Sequence, residues 1–188
     1  YDQAGADINF TIHDFNNHYQ VLKEQNIPFT LHAGESTDAI HVLESVQKGA
    51  VRIGHGVRAI ENQYVMKCLK DMRICLENCP TSNLQTSVEN INDDLSNYPT
   101  AKFLKMGIMS CLNTDNTLMS GVTLSSEYQM LYEKKVINLV DVLLCIYFSF
   151  KCGFFCDQKL LQQSMQHNFN YIEQFDPQIR QKFDEKMK

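Results

Sequence analysis

Little in this 188-residue sequence points to a nucleic acid, a membrane or an oxidising compartment. Positive charge is not in excess: 17 Lys and Arg stand against 22 Asp and Glu, a formal net charge of −5. Nucleic-acid binders carry a basic surplus or a basic face, and neither is visible, so a small-molecule substrate is the better expectation. No apolar run is long enough to span a bilayer. The most apolar stretch, 140–155, is interrupted by Asp141 and Lys151 and reads as a buried helix. The first ten residues lack a signal-peptide pattern. The seven cysteines (Cys68, Cys75, Cys79, Cys111, Cys145, Cys152 and Cys156) are odd in number and contain no C-x-x-C pair. Several sit in apolar runs, and they read as free, buried thiols in a reducing cytosol. Linkers, repeats and low-complexity segments are missing too, so one compact unit over 1–188 is expected.

What is present is alternation. Residues 28–35 (PFTLHAGE) read as a strand with a polar end. Residues 36–49 place Ile40, Leu43 and Val46 at helical spacing with Val42 beside them, Ser36 or Thr37 as N-cap and Gly49 as the stop. A second strand at 50–56 precedes a helix at 62–72 with Tyr64, Val65, Cys68 and Leu69 on one face. Residues 73–83 read as a third strand whose Pro80 marks the exit into a loop, 99–107 as a short helix, and 108–116 as a fourth strand. A further strand ends at 1–5, followed by a turn at Ala4-Gly5 and a helix over 12–25. From Thr123 onward the pattern is helical, with breaks near Gly153 and Pro177.

Strands alternating with helices specify an α/β chain with a parallel sheet and right-handed crossovers. Polar clusters end four successive strands: His32 to Glu35, Gly54 to Gly56, Asn78 to Asn83, and Asn113 to Asn116. In a closed barrel, functional residues gather on all the strand ends, whereas an open sheet uses one switch point. The pattern therefore favours a barrel, of which this chain supplies about half the roughly 250 residues and eight strands of a full one.

Each reactive residue also has a plain structural reading. An H-x-x-E such as His32…Glu35 is common, and a lone strand-end His is more often a hydrogen-bonded structural residue. Here the Gly between them allows close backbone approach, which suits a metal ligand beside a proton-transferring carboxylate. His55, between Gly54 and Gly56, is either a capped strand end or an imidazole held clear of neighbouring side chains. Arg52 and Arg58 read as structural or solvated charges. Asp115 ends an apolar strand and needs a metal, a cation or hydrogen bonds in compensation, unless Asn113 and Thr114 make it part of a satisfied turn. His13, His18, His41 and His167 read as surface or packing residues, and Met106, Met109, Met119 and Met130 as core filler.

Taken together, LHAGES, RIGHGVRAIEN, LENCPTSNLQT, and CLNTDN followed by TLSSEY resemble the adenosine deaminase family in that order and at family-like intervals. Four ordered motifs are a specific signal. The resemblance implies the C-terminal half of a (β/α)8 TIM barrel followed by C-terminal helices. It also implies a catalytic zinc ion and hydrolytic removal of the purine 6-amino group. By position, His32 and Asp115 look like zinc ligands and Glu35 like the proton donor to ring N1. His55 looks like the residue assisting the zinc-bound water, and Gly5 like the N–H donor to ring N3. Asn116 falls where the family has an Asp facing ring N7. An acceptor at N7 wants a donor, which an Asn amide supplies, so this change is expected to be tolerated.

The family's N-terminal H-x-H ligand pair does not occur in this chain. With two of the expected ligands absent, the chain alone is expected to be inactive, its partners being a purine nucleoside and the missing half of the barrel. Unpaired sheet edges favour self-association. Two alternatives stand beside adenosine: a sibling deaminase acting on adenine, AMP or a modified adenosine, and a non-enzymatic half-barrel assembly module.

Overall fold

The computed structural model describes residues 1–5, 12–154 and 157–188. Five short strands form one sheet: β1 (Asp2–Gln3), β2 (Thr30–Ala33), β3 (Arg52–His55), β4 (Cys75–Asn78) and β5 (Met109–Leu112). They lie side by side in sequence order and every neighbouring pair is parallel. Consecutive right-handed crossovers without a reversal of strand order put the connecting helices on one face. The result is an arc of a singly wound sheet, which is the geometry of a barrel and not of a doubly wound fold.

Register divides the two faces. Leu31 pairs with Ile53 and Ile53 with Leu76. All three are buried with Tyr19, Val42, Val65, Leu69 and Phe103 under the helices α1 (Asn16–Glu24), α2 (Ala39–Gln47), α3 (Gln63–Asp71) and α5 (Thr100–Lys105). The alternate positions form the other face. Thr30, Arg52, Cys75 and Met109 make its lower row and His32, Gly54, Glu77 and Cys111 its upper row. That face is polar and sulfur-rich: Arg52 pairs with Glu77, and Thr30 donates to Glu77 at 3.4 Å.

A second apolar cluster is built on α8 (Leu139–Lys151), which covers β5, with α9 (Gln158–Ile172) and α10 (Ile179–Met187) against it. Leu143, Leu144 and Cys145 are fully buried there, and the Phe169 and Phe183 rings meet edge to face at 5.2 Å. Asn138 and Asp141 cap α8 reciprocally. Among the described residues, no helix is long and apolar enough to cross a membrane.

Several sequence expectations are corrected. Asp38, not Ser36 or Thr37, caps α2, its carboxylate accepting from Ile40 and His41 N–H groups; Thr37 instead accepts from Gly34 N–H at 3.2 Å. The helix expected at 12–25 opens as a 3-10 turn, Ile12–Phe15, before α1. The third strand stops at Asn78, and Pro80 opens a helix, α4 (Pro80–Gln85), where a loop was expected. The missing N–H of proline costs nothing at a first helical position. The long C-terminal helical pattern breaks additionally after α7 (Leu124–Glu133). Tyr64, Met106 and Met119 are exposed. Phe155 and Cys156 lie outside the described residues.

Asn78 joins these parts. It is fully buried at the end of β4, its amide nitrogen donates to the His55 carbonyl at 2.8 Å, and its oxygen accepts from Thr100 at 2.8 Å and Ser110 at 2.7 Å. Asn78→Ala leaves a buried carbonyl and two hydroxyls unpaired, which is expected to cost about 2–4 kcal/mol. Urea unfolding checks this: the midpoint should fall with an unchanged slope. A midpoint within error of the parent protein's would sink the assignment.

Candidate active site

The C-terminal ends of β2, β3 and β5 carry the reactive side chains. Glu35 follows β2, His55 is the last residue of β3, and Asp115 lies just beyond β5. One ligand atom from each of these three lies within 4.8 Å of the others. His55 is 1% exposed and Glu35 is half-buried, whereas Asp115 is exposed. The compensation expected for a buried Asp115 is therefore reduced to one hydrogen bond, from Ser82 at 2.7 Å. His55 and Asp115 both hold left-handed backbone, φ 62° and 55°. Non-glycine residues pay roughly 1–3 kcal/mol for such a conformation, and it persists where the surroundings over-determine it.

The surroundings here are α4, which sequence reasoning did not find because its residues were read as strand and loop. It presents Ser82 to Asp115 and Asn83 to His55 Nδ1 at 2.9 Å, and its C-cap Thr86 donates to Glu35 Oε1 at 3.0 Å. Asn83 also reaches Glu35 Oε1 at 3.4 Å. The only signal in the sequence was the polar run TSN after an apolar strand. Cys79 offers no side-chain cap to α4. Glu127 of α7 replaces it, its Oε2 accepting from Thr81 N–H at 3.1 Å. Glu127 is 1% exposed, and burial pushes its carboxyl above the usual carboxylate range, the Thr81 bond opposing.

These contacts fix protons. Asn83 Oδ1 accepts from the Tyr98 hydroxyl at 2.7 Å, so its NH2 faces His55 and Glu35. A carboxylate oxygen is an acceptor, which confirms that orientation. His55 Nδ1 must then accept, and the neutral ring carries its proton on Nε2, 3.4 Å from Glu35 Oε2. Both ring nitrogens of His55 are thus committed. Although His55 falls in the triad of ligand-type atoms, this tautomer offers no lone pair to a metal.

His32 stands beside the triad. Its ring centroid is 4.7 Å from that of His55, edge-on. Its Nδ1 is buried with no hydrogen-bond partner among the described residues. A Cβ on Gly54 would approach that nitrogen to 2.8 Å, so only glycine leaves the ring room. His32 also lines a cavity of about 300 Å3 with Gly5, Tyr19, His41 and Ser45, where Ser45 Oγ is likewise buried and has no partner among the described residues. His41, expected at the surface or in packing, faces this cavity. Asn116 is exposed and caps α6 (Thr117–Ser120), its Oδ1 accepting from Met119 N–H at 3.1 Å. That bond commits the oxygen and leaves the NH2 as the amide's donor end.

A histidine nitrogen and a carboxylate are donors suited to zinc, and the unpaired His32 ring with Asp115 fits such an ion in type. Open catalytic zinc sites use three protein ligands, so His32 and Asp115 are part of a set, and His32 is not among the three residues, Glu35, His55 and Asp115, whose ligand atoms converge.

The adenosine deaminase family model matches residues 1–139. An adenosine deaminase of Haemophilus ducreyi is 36% identical over 170 residues, covering 89% of this chain and 48% of the relative. The chain thus spans about half the length of the curated relatives it matches. Among solved structures, the adenine deaminase of Arthrobacter aurescens superposes with TM-score 0.82 at 21% identity, over 92% of this chain and 52% of that one. A zinc-bound amidohydrolase of Burkholderia ambifaria gives 0.79 at 14% identity, over 95% and 50%. These two show the shared fold. With ordered motifs, strand-end geometry and a family match over most of its length, this chain belongs to the adenosine deaminase family.

Proposed function

We propose that this chain supplies the C-terminal part of a zinc-dependent deaminase that hydrolyses adenosine and 2'-deoxyadenosine to the inosine product and ammonia, as in purine salvage. The observation that carries this reading is the convergence of Glu35, His55 and Asp115 on three strand ends, with the His55 proton set by Asn83.

The residues divide the work. His32 and Asp115 would hold the metal, which when bound supplies Lewis-acid activation of water at neutral pH. Glu35 would give a proton to ring N1. Thr86 and Asn83 both donate to its Oε1, which holds the carboxyl group in place on the rim. Protonation at N1 lowers the aromatic resistance to water addition at C6. His55 Nε2 faces Glu35 Oε2 and would orient the water and share its proton. Collapse of the tetrahedral C6 centre then expels ammonia. The Gly5 N–H would meet ring N3, and the NH2 of Asn116 ring N7.

Adenosine-to-inosine conversion by the full-length, zinc-loaded polypeptide tests the reading, with adenine and AMP as competitors that separate sibling substrates. Glu35→Gln keeps the acceptor but loses the acid, and kcat should fall roughly 10^2- to 10^4-fold with KM little changed. A variant within threefold of the parent would show that Glu35 is not the proton donor. Asn83→Asp replaces the donor facing His55 with an acceptor and should move the ring proton to Nδ1. Nitrogen NMR of the imidazole reads that change directly, and kcat should drop about 10- to 100-fold. An unchanged Nδ1 signal would overturn the tautomer assignment even if activity were lost.

A further inference from the structure

A sulfur cluster lies outside the candidate active site, between the start of β4, the middle of β5 and the end of α8. Cys75 opens β4 and Cys111 lies on β5, both on the helix-free face, and Cys152 caps the C-terminus of α8. All three line one small cavity of about 70 Å3 together with Arg52 and Glu77. Cys75 is central: it pairs in register with Met109 on the strand that carries Cys111, and its neighbours Cys111 and Cys152 influence its ionisation. Cys152 Sγ is also 3.7 Å from Met109 Sδ.

The three sulfurs differ in access. Cys75 and Cys111 are 1% and 5% exposed, whereas Cys152 is half-exposed. The Cys75 thiol, then the Arg52 and Lys151 charges, hold the Cys152 thiol below its ordinary value, with burial opposing. Contact with its two sulfur neighbours, together with burial, pushes Cys75 up. An accessible, acidified thiol beside a buried one is the arrangement of an attacking and a resolving cysteine. A metal site fits less well: among the described residues, the only set of three ligand-type atoms in mutual proximity is Glu35, His55 and Asp115.

We propose that Cys152 is a peroxide-sensitive thiol resolved by Cys75, so that oxidation ties the end of α8 to the start of β4 by a disulfide. The Cys152 thiolate attacks one peroxide oxygen, the O–O bond breaks, and the departing oxygen takes a proton and leaves as water or alcohol. Cys152 is then a sulfenic acid. The Cys75 sulfur attacks the Cys152 sulfur, the S–O bond breaks, and water leaves with the Cys75 proton. Two thiols and one hydrogen peroxide become one disulfide and two waters. Gly153 follows Cys152 at the end of the helix, where the backbone can adjust to the bond's geometry.

The test is a thiol map. The native full chain is treated with hydrogen peroxide, alkylated after unfolding, digested and analysed by mass spectrometry, with and without a reductant. The expected result is a reductant-sensitive Cys75–Cys152 peptide pair, formed roughly tenfold faster than any oxidation of half-exposed Cys68, with buried Cys145 still a thiol. Cys152→Ser should abolish the link and leave Cys75 alkylated, whereas Cys111→Ser should preserve it. Should either variant fail to fold, the map of the parent protein decides alone. Recovery of Cys75 and Cys152 as free thiols, progression of Cys152 to the sulfinic acid, or a Cys152–Cys156 or Cys75–Cys111 link would each overturn the proposal.

Discussion

One side-chain amide sets the chemistry of the whole rim. Asn83 is fully buried, so both ends of its amide must find partners. Tyr98 offers a donor and claims the oxygen; Glu35 and His55 are then left facing the nitrogen. Rotating the amide would set two acceptors, Glu35 and the Asn83 oxygen, against each other and leave Tyr98 facing a donor. In a low-dielectric interior each such mismatch costs roughly 1–3 kcal/mol, enough to hold one orientation overwhelmingly. The tautomer of His55 follows from this network, and with it the role the residue can play. Ser82 and Thr86 extend the control to Asp115 and Glu35 from the same short helix. The buried carboxylate of Glu127 completes the support by satisfying that helix's N-terminus.

Much of this was legible in the sequence, and the limits have physical causes. The apolar runs of β2, β3 and β5 end in polar residues where the chain leaves the sheet, so His32, Glu35, His55 and Asp115 stood out as strand-end groups. What periodicity could not show was α4. Its six residues contain a proline, two hydroxyl residues, an asparagine and one leucine, and no apolar stripe marks a helix that short. Its N-terminus is held by a carboxylate from 46 residues away, which leaves no local pattern, and its first-turn proline reads equally well as a loop signal. The cap of α2 was missed for a related reason: Ser36, Thr37 and Asp38 are all good caps, and only the geometry of the Gly34 turn decides that Thr37 is used for the turn and Asp38 for the helix. Asp115 was placed correctly in the chain but wrongly in environment, because the strand stops at Leu112 and the carboxylate clears the core.

The helix-free face of the sheet explains why the two ends of the strands serve different purposes. Part of that face is covered by what this chain folds over it. At the lower row the chain does so: α8 and the residues after it bring Cys152 against Met109, and Phe154 lies over the Arg52 guanidinium at 4.2 Å from the ring centroid. Arg52 in turn is paired with Glu77, so a charge that would be costly if desolvated alone has an anion, an aromatic face and, through Glu77, a Thr30 hydroxyl in its network. That end is closed. At the upper row nothing comparable folds back among the described residues, and Thr86, Asp115 and Asn116 remain exposed. The polarity of a parallel sheet, with all carboxyl ends pointing one way, is what allows one end to be packed for stability while the other gathers the strained His55 and Asp115 at its rim.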